Sequence, residues 1–296
     1  MNRLYIIGNG FDLWHGLPTS YDLFYAFAKD TLDELESFYL IDIVKNGPWS
    51  DFESCLGKFD WQLFYEFHDC TDPTAEDFRP SEAFGLEDDI TEQANDLVEA
   101  IKERFHDWIE SIDVTQASKK ISFLDTDSFL SFNYTSTLQV AYGVDDANIV
   151  HIHGRSDAYD DLILGHGETR EEEPELDANG DSNRTMFSDA EGAAKYPFYA
   201  LQKPVNETIE NNREFFDSLG GFSTISIIGH SLNDIDLPYF QEITKNTNNA
   251  KWEVYCYRLE GSDYCEQQLL KCGVASKNIA IELYGKLPSA QHTHKL

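Results

Sequence analysis

Positive charge is scarce in this chain of 296 residues. Lys and Arg total 22, whereas Asp and Glu total 54, which gives a formal net charge of −32 at pH 7. Such an excess of negative charge repels phosphate backbones and anionic lipid surfaces. The composition therefore predicts that neither nucleic acid nor a membrane is a partner. No block of one sign is long enough to form a dedicated tail, so the charge is typical of a solvated surface.

Cysteine pairs and long apolar runs are also missing. The five cysteines form no C-x-x-C pair and are odd in number, which argues against a disulfide framework and a zinc ribbon. Reduced thiols of this kind are typical of cytosolic proteins. No apolar run approaches the roughly 18 residues of a membrane-spanning helix, and the opening LYII is too short for a signal peptide. We therefore expect a soluble cytoplasmic protein.

Strand and helix signals alternate along most of the chain. Short apolar or β-branched runs that predict strands occupy residues 3–7, 128–132, 148–153, 162–165, 223–229, 252–257 and 279–284. Helical stretches separate these runs, which predicts an α/β fold with a mainly parallel sheet. We expect a single Rossmann-like domain over residues 1–296, in which helices flank the sheet.

A long helical region interrupts this alternation after the first strand. Apolar residues at three- and four-residue spacings over 90–112 predict an amphipathic helix of about six turns. We interpret residues 31–115 as a helical insertion within the domain. Glu, Pro and Gly residues over 166–197 predict an acidic surface loop.

Small and polar residues follow the predicted strands where each one ends. They are Gly8-Asn9-Gly10-Phe11-Asp12, Asn133-Tyr134-Thr135, His151-Ile152-His153-Gly154, Gly165-His166-Gly167 and Gly229-His230-Ser231, the last followed by Asp234 and Asp236. Ligands of open α/β sheets bind beyond the carboxyl ends of the strands, so we expect these residues to line one crevice. The opening GNGFDL is an incomplete dinucleotide fingerprint, because Leu13 stands where G-x-G-x-x-G has its third glycine.

Five stretches of the sequence together resemble one protein family. They are GNGFDLWHGLPTSY at 8–21, WSDFE at 49–53, FNYTSTL at 132–138, HIHG at 151–154 and GHSLNDIDLPYF at 229–240. In this order they resemble the AbiH family of bacterial phage abortive-infection proteins. That family is in turn similar to a divergent branch of the sirtuin-like NAD-binding fold. The sirtuin-like motifs correspond to Gly8 and Gly10, Asn133, His153-Gly154, and Gly229 with Ser231.

The resemblance implies an anti-phage effector that hydrolyses NAD⁺ at the nicotinamide–ribose bond. Asn133 and His153 would be the catalytic pair, and His151 stays open as the alternative base because strand residues two apart share a face. NAD, as substrate or ligand, would contact Gly8, Asn9, Gly10, Phe11, Asp12, Gly229, His230, Ser231 and Asp234. The glycines would bring backbone N–H groups to the pyrophosphate, and Asp12 or Asp234 would orient a hydroxyl or the histidine.

The chain departs from the sirtuin pattern at two points. It lacks the two C-x-x-C pairs of the deacylase zinc module, and Thr135 stands where sirtuins have an aspartate. The resemblance therefore implies an NAD⁺ glycohydrolase without a metal site, not a zinc-dependent protein deacylase. A freely active NADase would kill its host, so we expect a silent resting state that a phage-derived trigger relieves. Either homo-oligomerisation or the 31–115 insertion would set this state.

Three other functions stay open on the sequence. A metal hydrolase is one, because His151, His153, His166 and His230 are residues of a type that binds metals. A serine hydrolase is another, because IIGHSLN at 227–233 differs at one glycine from the nucleophile elbow G-x-S-x-G around Ser231. The third is a non-catalytic sensor or toxin component that binds NAD or an ADP-ribose-type nucleotide.

Overall fold

The fold is built around one β-sheet. A computed structural model describes residues 2–41, 49, 51–69, 71, 76, 79–171, 174–247, 249–258 and 261–289. The strands in these residues are β1 (Arg3–Ile7), β2 (Ser128–Ser131), β3 (Ile149–His151), β4 (Thr224–Ile228), β5 (Lys251–Cys256) and β6 (Ile279–Leu283). They pair in the order β3-β2-β1-β4-β5-β6, and every neighbouring pair is parallel. The α/β, Rossmann-like prediction is confirmed, and the strand order is that of dinucleotide-binding folds.

Helices connect the strands. In the described residues they are α1 (Asn9–Trp14), α2 (Tyr21–Phe27), α3 (Lys29–Leu35), α4 (Phe52–Leu56), α5 (Trp61–His68), α6 (Pro80–Glu110), α7 (Thr137–Tyr142), α8 (Ser188–Ala200), α9 (Val205–Asn211), α10 (Arg213–Asp217), α11 (Leu237–Asn246) and α12 (Ser262–Lys271). Six of them, α1 to α6, lie between β1 and β2. None of the helices described has both the length and the apolar character needed to span a bilayer.

Both faces of the central strands β1 and β4 are buried, so polar groups are expected at the strand ends. Alternate side chains of β1 point to opposite faces. Leu4 and Ile6 belong to a core cluster with residues of α9, α10, α11 and α12. Tyr5 and Ile7 belong to a second cluster with residues of α1 and α7. Since neither face of these central strands is open to water, the carboxyl ends of the strands are the natural location for a polar site.

The chain divides into two compact units. The first consists of Met1–Leu23, Trp108–Ile163 and Pro204–Leu296 and contains the sheet, and the second consists of Phe24–Asp107 and Leu164–Lys203. An aromatic core fills the second unit, where the Phe24 ring lies 4.7 Å from the Phe52 ring and 5.3 Å from the Phe105 ring. Most residues of the 31–115 and 166–197 stretches fall in this second unit.

The strand predicted at 162–165 is wrong. Gly165 adopts φ +152°, and a Cβ on it would lie 2.3 Å from Leu201 O. The segment forms a short bridge instead, in which the His166 N–H donates to Leu201 O and the Lys203 N–H donates to His166 O. A four-residue apolar run that ends in glycine is too short to distinguish a strand from an extended loop.

Helix boundaries also differ from the predictions. α6 begins at Pro80, ten residues before the predicted start at 90, because proline is well accommodated in the first turn of a helix. Residues 188–197 of the predicted acidic loop are helical as part of α8. Ala190, Ala194 and Phe198 recur every fourth residue and form its buried stripe, a pattern that the surrounding acidic residues obscure.

Candidate functional site

The loops after β1 and β4 pack directly on each other. The Gly8 N–H donates to Ile228 O at 3.0 Å, and the Gly10 N–H donates to Gly229 O at 2.8 Å. A Cβ on Gly8 would lie 2.6 Å from His230 Cα, and a Cβ on Gly10 would lie 2.8 Å from Gly229 Cα. Contact between the two loops therefore requires glycine at both positions. The N–H groups of Gly8 and Gly10 are therefore bonded within the protein.

Asn9 and Phe11 hold the first loop in place. Asn9 Nδ2 donates to Thr19 O at 2.7 Å, which ties the segment after α1 back to the start of that helix. Phe11 is fully buried, and its ring lies 4.2 Å from the His15 ring. His15 is held in turn by Phe11 O at Nδ1 and by the Tyr142 hydroxyl at Nε2. Both residues thus have structural contacts that explain their presence.

Asp12 carries a carboxyl group buried within the first unit, only 1% exposed. Its Oδ2 accepts a hydrogen bond from Thr135 Oγ1 at 2.5 Å, and Thr135 Oγ1 lies 3.1 Å from Thr137 Oγ1. Burial raises the pKa of Asp12 to about 6, although Thr135, Thr137 and the nearby Asn133 amide favour the charged form. Asp12 Oδ1 has no hydrogen-bond partner among the described residues.

Asn133, two residues beyond β2, combines a fixed backbone with a side chain that makes no hydrogen bond within the described residues. Its N–H donates to Ser131 Oγ at 3.2 Å, and its carbonyl accepts from His151 Nδ1 at 3.1 Å. The side chain is buried, and its amide lies near enough to the Asp12 carboxylate to favour the charged form, yet neither Oδ1 nor Nδ2 completes a hydrogen bond in the described part of the chain. Leaving buried polar atoms unpaired costs about 1–3 kcal/mol, so a ligand is one physical explanation for them.

The two histidines of HIHG make different contacts. His151 is engaged at both ring nitrogens, by Asn133 O at Nδ1 and by Gln139 Nε2 at Nε2. Burial lowers the pKa of His151, which favours its neutral ring. His153 is buried, and its Nε2 lies 3.9 Å from Asp236 Oδ1. Strand alternation does not bring the two rings together because β3 ends at His151.

Asp236 is the carboxylate that lies beside the histidines. Its Oδ1 faces His153, and its Oδ2 lies 3.5 Å from His230 Nε2. Asp234, predicted as the orienting acid or a cofactor contact, is exposed and accepts a hydrogen bond from Gln268 Nε2 at 2.8 Å. Asp236 is visible in the sequence after β4, but no role was predicted for it. Asp236 immediately precedes α11 in the loop that begins with His230, and this position could have identified it as a site residue.

His166 and Ser231 are among the residues that suggested a metal hydrolase and a serine hydrolase, respectively. His166 donates from Nε2 to Phe198 O at 2.8 Å and accepts from the Glu168 N–H at Nδ1, so both nitrogens are used. Ser231 is exposed, and α11 begins only at Leu237, so the sharp strand-to-helix turn of a nucleophile elbow does not form. Within the described ranges, no group of three or more His, Cys, Asp or Glu side chains is arranged to hold a metal ion.

Asp12→Asn is expected to stabilise the chain, and more so at high pH. Asp12 has a folded-state pKa of about 6 against an ordinary value of 3.8, so between these values the folded state binds a proton that the unfolded state releases. The carboxylate therefore lowers stability above pH 6, by up to about 3 kcal/mol, and the penalty fades as the pH falls. Urea unfolding at pH 5 and pH 8 measures the gain, which should be about twice as large at pH 8.

The control for this substitution is Asp22→Asn on the exposed surface of α2. It should change the free energy of unfolding by less than about 0.5 kcal/mol at both pH values. An Asp12→Asn gain that does not grow between pH 5 and pH 8 would show that the Asp12 carboxylate is solvated or neutralised in solution.

Comparison with known proteins identifies the family. A sequence profile described as "Bacteriophage abortive infection AbiH" matches residues 4–256, which is well over half of the chain. No curated protein matches the chain. The matched region contains all of β1 but its first residue, β2 to β5, and the site residues Asp12, Asn133, His153, His230 and Asp236. The chain therefore belongs to the AbiH family of bacteriophage abortive-infection proteins.

Proposed function

We propose that this protein is an abortive-infection effector that hydrolyses NAD⁺ to nicotinamide and ADP-ribose. One observation carries the proposal: among the described residues, both amide atoms of Asn133 and Oδ1 of Asp12 are buried without a hydrogen-bond partner. Family membership supports the abortive-infection role. The resemblance of the strand-end motifs to the sirtuin-like fold favours NAD as the substrate.

The buried hydrogen-bonding groups of Asn133 and Asp12 are complementary to the hydroxyl groups of a ribose. Asn133 Nδ2 donates hydrogen bonds, whereas Asn133 Oδ1 and an ionised Asp12 accept them. A ribose diol supplies hydroxyl groups that both donate and accept. A bound sugar would therefore satisfy atoms that are costly to bury alone.

The proposed reaction adds water across the nicotinamide–ribose bond. Water attacks C1′ of the ribose, nicotinamide leaves with the bonding electrons as a neutral molecule, and one proton is released. In this proposal His153 accepts that proton as the general base, and Asn133 orients the water or a ribose hydroxyl. Both side chains are buried, which strengthens their interactions with charge that develops on the ribose.

The glycine N–H groups of the loop after β1 are engaged within the protein. The N–H groups of Gly8 and Gly10 donate to the β4 end, and the Phe11 N–H donates to Gly8 O. Support for the substrate therefore comes from the ribose side, through Asn133 and Asp12, and not from the glycine loop.

Product analysis tests the proposal. We expect the full-length chain, incubated with NAD⁺, to release nicotinamide and ADP-ribose in equal amounts, as measured by chromatography. His153→Ala should lower the rate at least about 100-fold, because it removes the general base. Asn211→Ala, on the exposed end of α9, is the control and should retain the wild-type rate.

The same assay separates hydrolysis from sensing. The assay is run at several protein concentrations, to allow the expected oligomer to form. It is also run with extract of phage-infected cells, which supplies the expected trigger. NAD⁺ that stays intact under all these conditions, while ADP-ribose binds, would overturn hydrolysis in favour of a non-catalytic sensor.

A further inference from the structure

One carboxylate lies between two buried imidazole rings in the first unit. Asp236 Oδ1 is 3.9 Å from His153 Nε2, and Asp236 Oδ2 is 3.5 Å from His230 Nε2. The three side chains are 10%, 3% and 4% exposed, respectively. The histidines come from the ends of β3 and β4, which are not neighbours in the sheet, so Asp236 links two separate parts of the site.

A backbone contact sets the tautomer of His230. The Leu232 N–H donates to His230 Nδ1 at 2.9 Å, so Nδ1 is an acceptor and carries no proton. The proton of the neutral ring is therefore on Nε2, which faces Asp236. The protonated Nε2 of His230 therefore lies 3.5 Å from Asp236 Oδ2, while the other carboxylate oxygen, Oδ1, faces His153.

Aromatic rings enclose this group. The Phe132 ring lies 5.1 Å from the His153 ring and 4.3 Å from the His230 ring. Tyr239 packs against His153 at 5.7 Å, and Phe240 packs against His230 at 5.0 Å. These rings restrict rotation of the imidazoles and exclude water, which strengthens the attraction between imidazole and carboxylate.

We propose that Asp236 is the positioning residue for His153 and that His230 fixes the carboxylate for this task. At 3.9 Å the negative charge of Asp236 favours the neutral His153 tautomer that carries its proton on Nε2, so that Nδ1 is the nitrogen that takes a proton. When His153 takes that proton it becomes an imidazolium, which the Asp236 carboxylate stabilises while staying deprotonated, as in a catalytic triad. The kinetic part rests on the proposed NAD⁺ hydrolysis, whereas the tautomer does not.

Nitrogen NMR of the histidine rings tests the tautomer directly. In the wild-type chain we expect His153 and His230 to be protonated at Nε2 when neutral. Asp236→Asn removes the charge that favours this state, so the His153 ring nitrogens should shift toward a mixture of tautomers. Asp263→Asn, an exposed substitution in the first turn of α12, is the control and should leave both rings unchanged.

Kinetics provide the second readout. Asp236→Asn is expected to lower kcat by about 10²–10⁴-fold with KM changed by less than about threefold, because it acts through His153 and not on substrate binding. His230→Ala should lower kcat about 10-fold, and His230→Gln, which retains a side-chain N–H, should recover part of that loss. If Asp236→Asn does not fold, the two His230 variants still test the arrangement.

The outcomes separate this proposal from the proposed function. Unchanged His153 nitrogen shifts in folded Asp236→Asn would overturn the positioning role, whether or not NAD⁺ is hydrolysed. The expected shifts in a wild-type chain that leaves NAD⁺ intact would uphold the positioning role and reject the hydrolase. Equal losses in His230→Gln and His230→Ala, with His153 shifts unchanged in both, would also reject the arrangement.

Discussion

Asn133→Leu is expected to abolish NAD⁺ hydrolysis and at the same time to stabilise the folded chain. Leucine is close to asparagine in size but has no polar atoms, so the change removes two buried atoms that make no hydrogen bond in the described structure, and this gain outweighs the loss of the amide's weak support for the Asp12 carboxylate. We expect kcat/KM to fall by about 10³-fold and the free energy of unfolding to rise by about 1–2 kcal/mol. Nicotinamide release and urea unfolding on one preparation measure both effects.

A structural asparagine would respond in the opposite way, and Asn212 provides that comparison. Asn212 Nδ2 donates to Thr208 O at 2.8 Å, so Asn212→Leu breaks a hydrogen bond and should cost about 1 kcal/mol. Its hydrolysis rate should stay at the wild-type level. If Asn133→Leu is destabilising like Asn212→Leu, the Asn133 amide has a structural partner in solution and the ligand interpretation fails.

Lys203→Met is expected to destabilise the second compact unit strongly. The Lys203 side chain is 1% exposed, and its Nζ lies 3.1 Å from Glu53 Oε1. Removal of one partner of a buried ion pair leaves the other charge uncompensated, at a cost of about 3–5 kcal/mol. Urea unfolding measures the loss, and limited proteolysis should show new cleavage within residues 24–107 or 164–203.

Two further variants test whether burial of the Lys203–Glu53 pair causes this loss of stability. Lys245→Met breaks the pair with Glu242 in which Lys245 is 71% exposed, so it should cost no more than about 1 kcal/mol. Combining Lys203→Met with Glu53→Met should recover much of the loss, because no charge is then left buried. A cost below about 1 kcal/mol for Lys203→Met alone would mean that water reaches the pair in solution.

The sheet could be predicted from sequence because its strands are short, strongly apolar and separated by helices. In β1, Leu4 and Ile6 alternate with Tyr5 and Ile7, and all four are buried. A strand that is buried on both faces appears in the sequence as a continuous apolar run, and such runs are typical of parallel sheets. The weaker run at 162–165 shows the same composition but ends at Gly165, where the chain pairs briefly outside the sheet.

The polar residues at the strand ends could also be predicted, but their partners could not. Asn133 and His153 stand out because each follows a strand. The contact between His153 and Asp236 joins residues 83 positions apart, and no periodic pattern in a sequence indicates such a contact. The sequence suggested Asp234 instead because it comes first after the β4 loop, whereas its carboxylate is exposed.

The opening glycines illustrate a second limit of sequence patterns. A G-x-G turn after a strand fits a phosphate loop, and it equally fits a place where two chain segments touch. Gly8 and Gly10 meet the loop at Gly229, and their N–H groups bond to it or to the end of β4. Only the neighbouring loop, distant in sequence, distinguishes these two explanations.

Calorimetric titration of ADP-ribose tests most directly whether Asn133 and Asp12 hold a ribose. ADP-ribose keeps both sugars of NAD⁺ but has no nicotinamide bond to cleave, so binding is measured without catalysis. We expect it to bind the wild-type chain and to bind Asn133→Leu at least about 10-fold more weakly, since one or two hydrogen bonds of about 1 kcal/mol each are lost. Equal affinity for the two proteins, or no binding to either, would contradict a ribose site at Asn133.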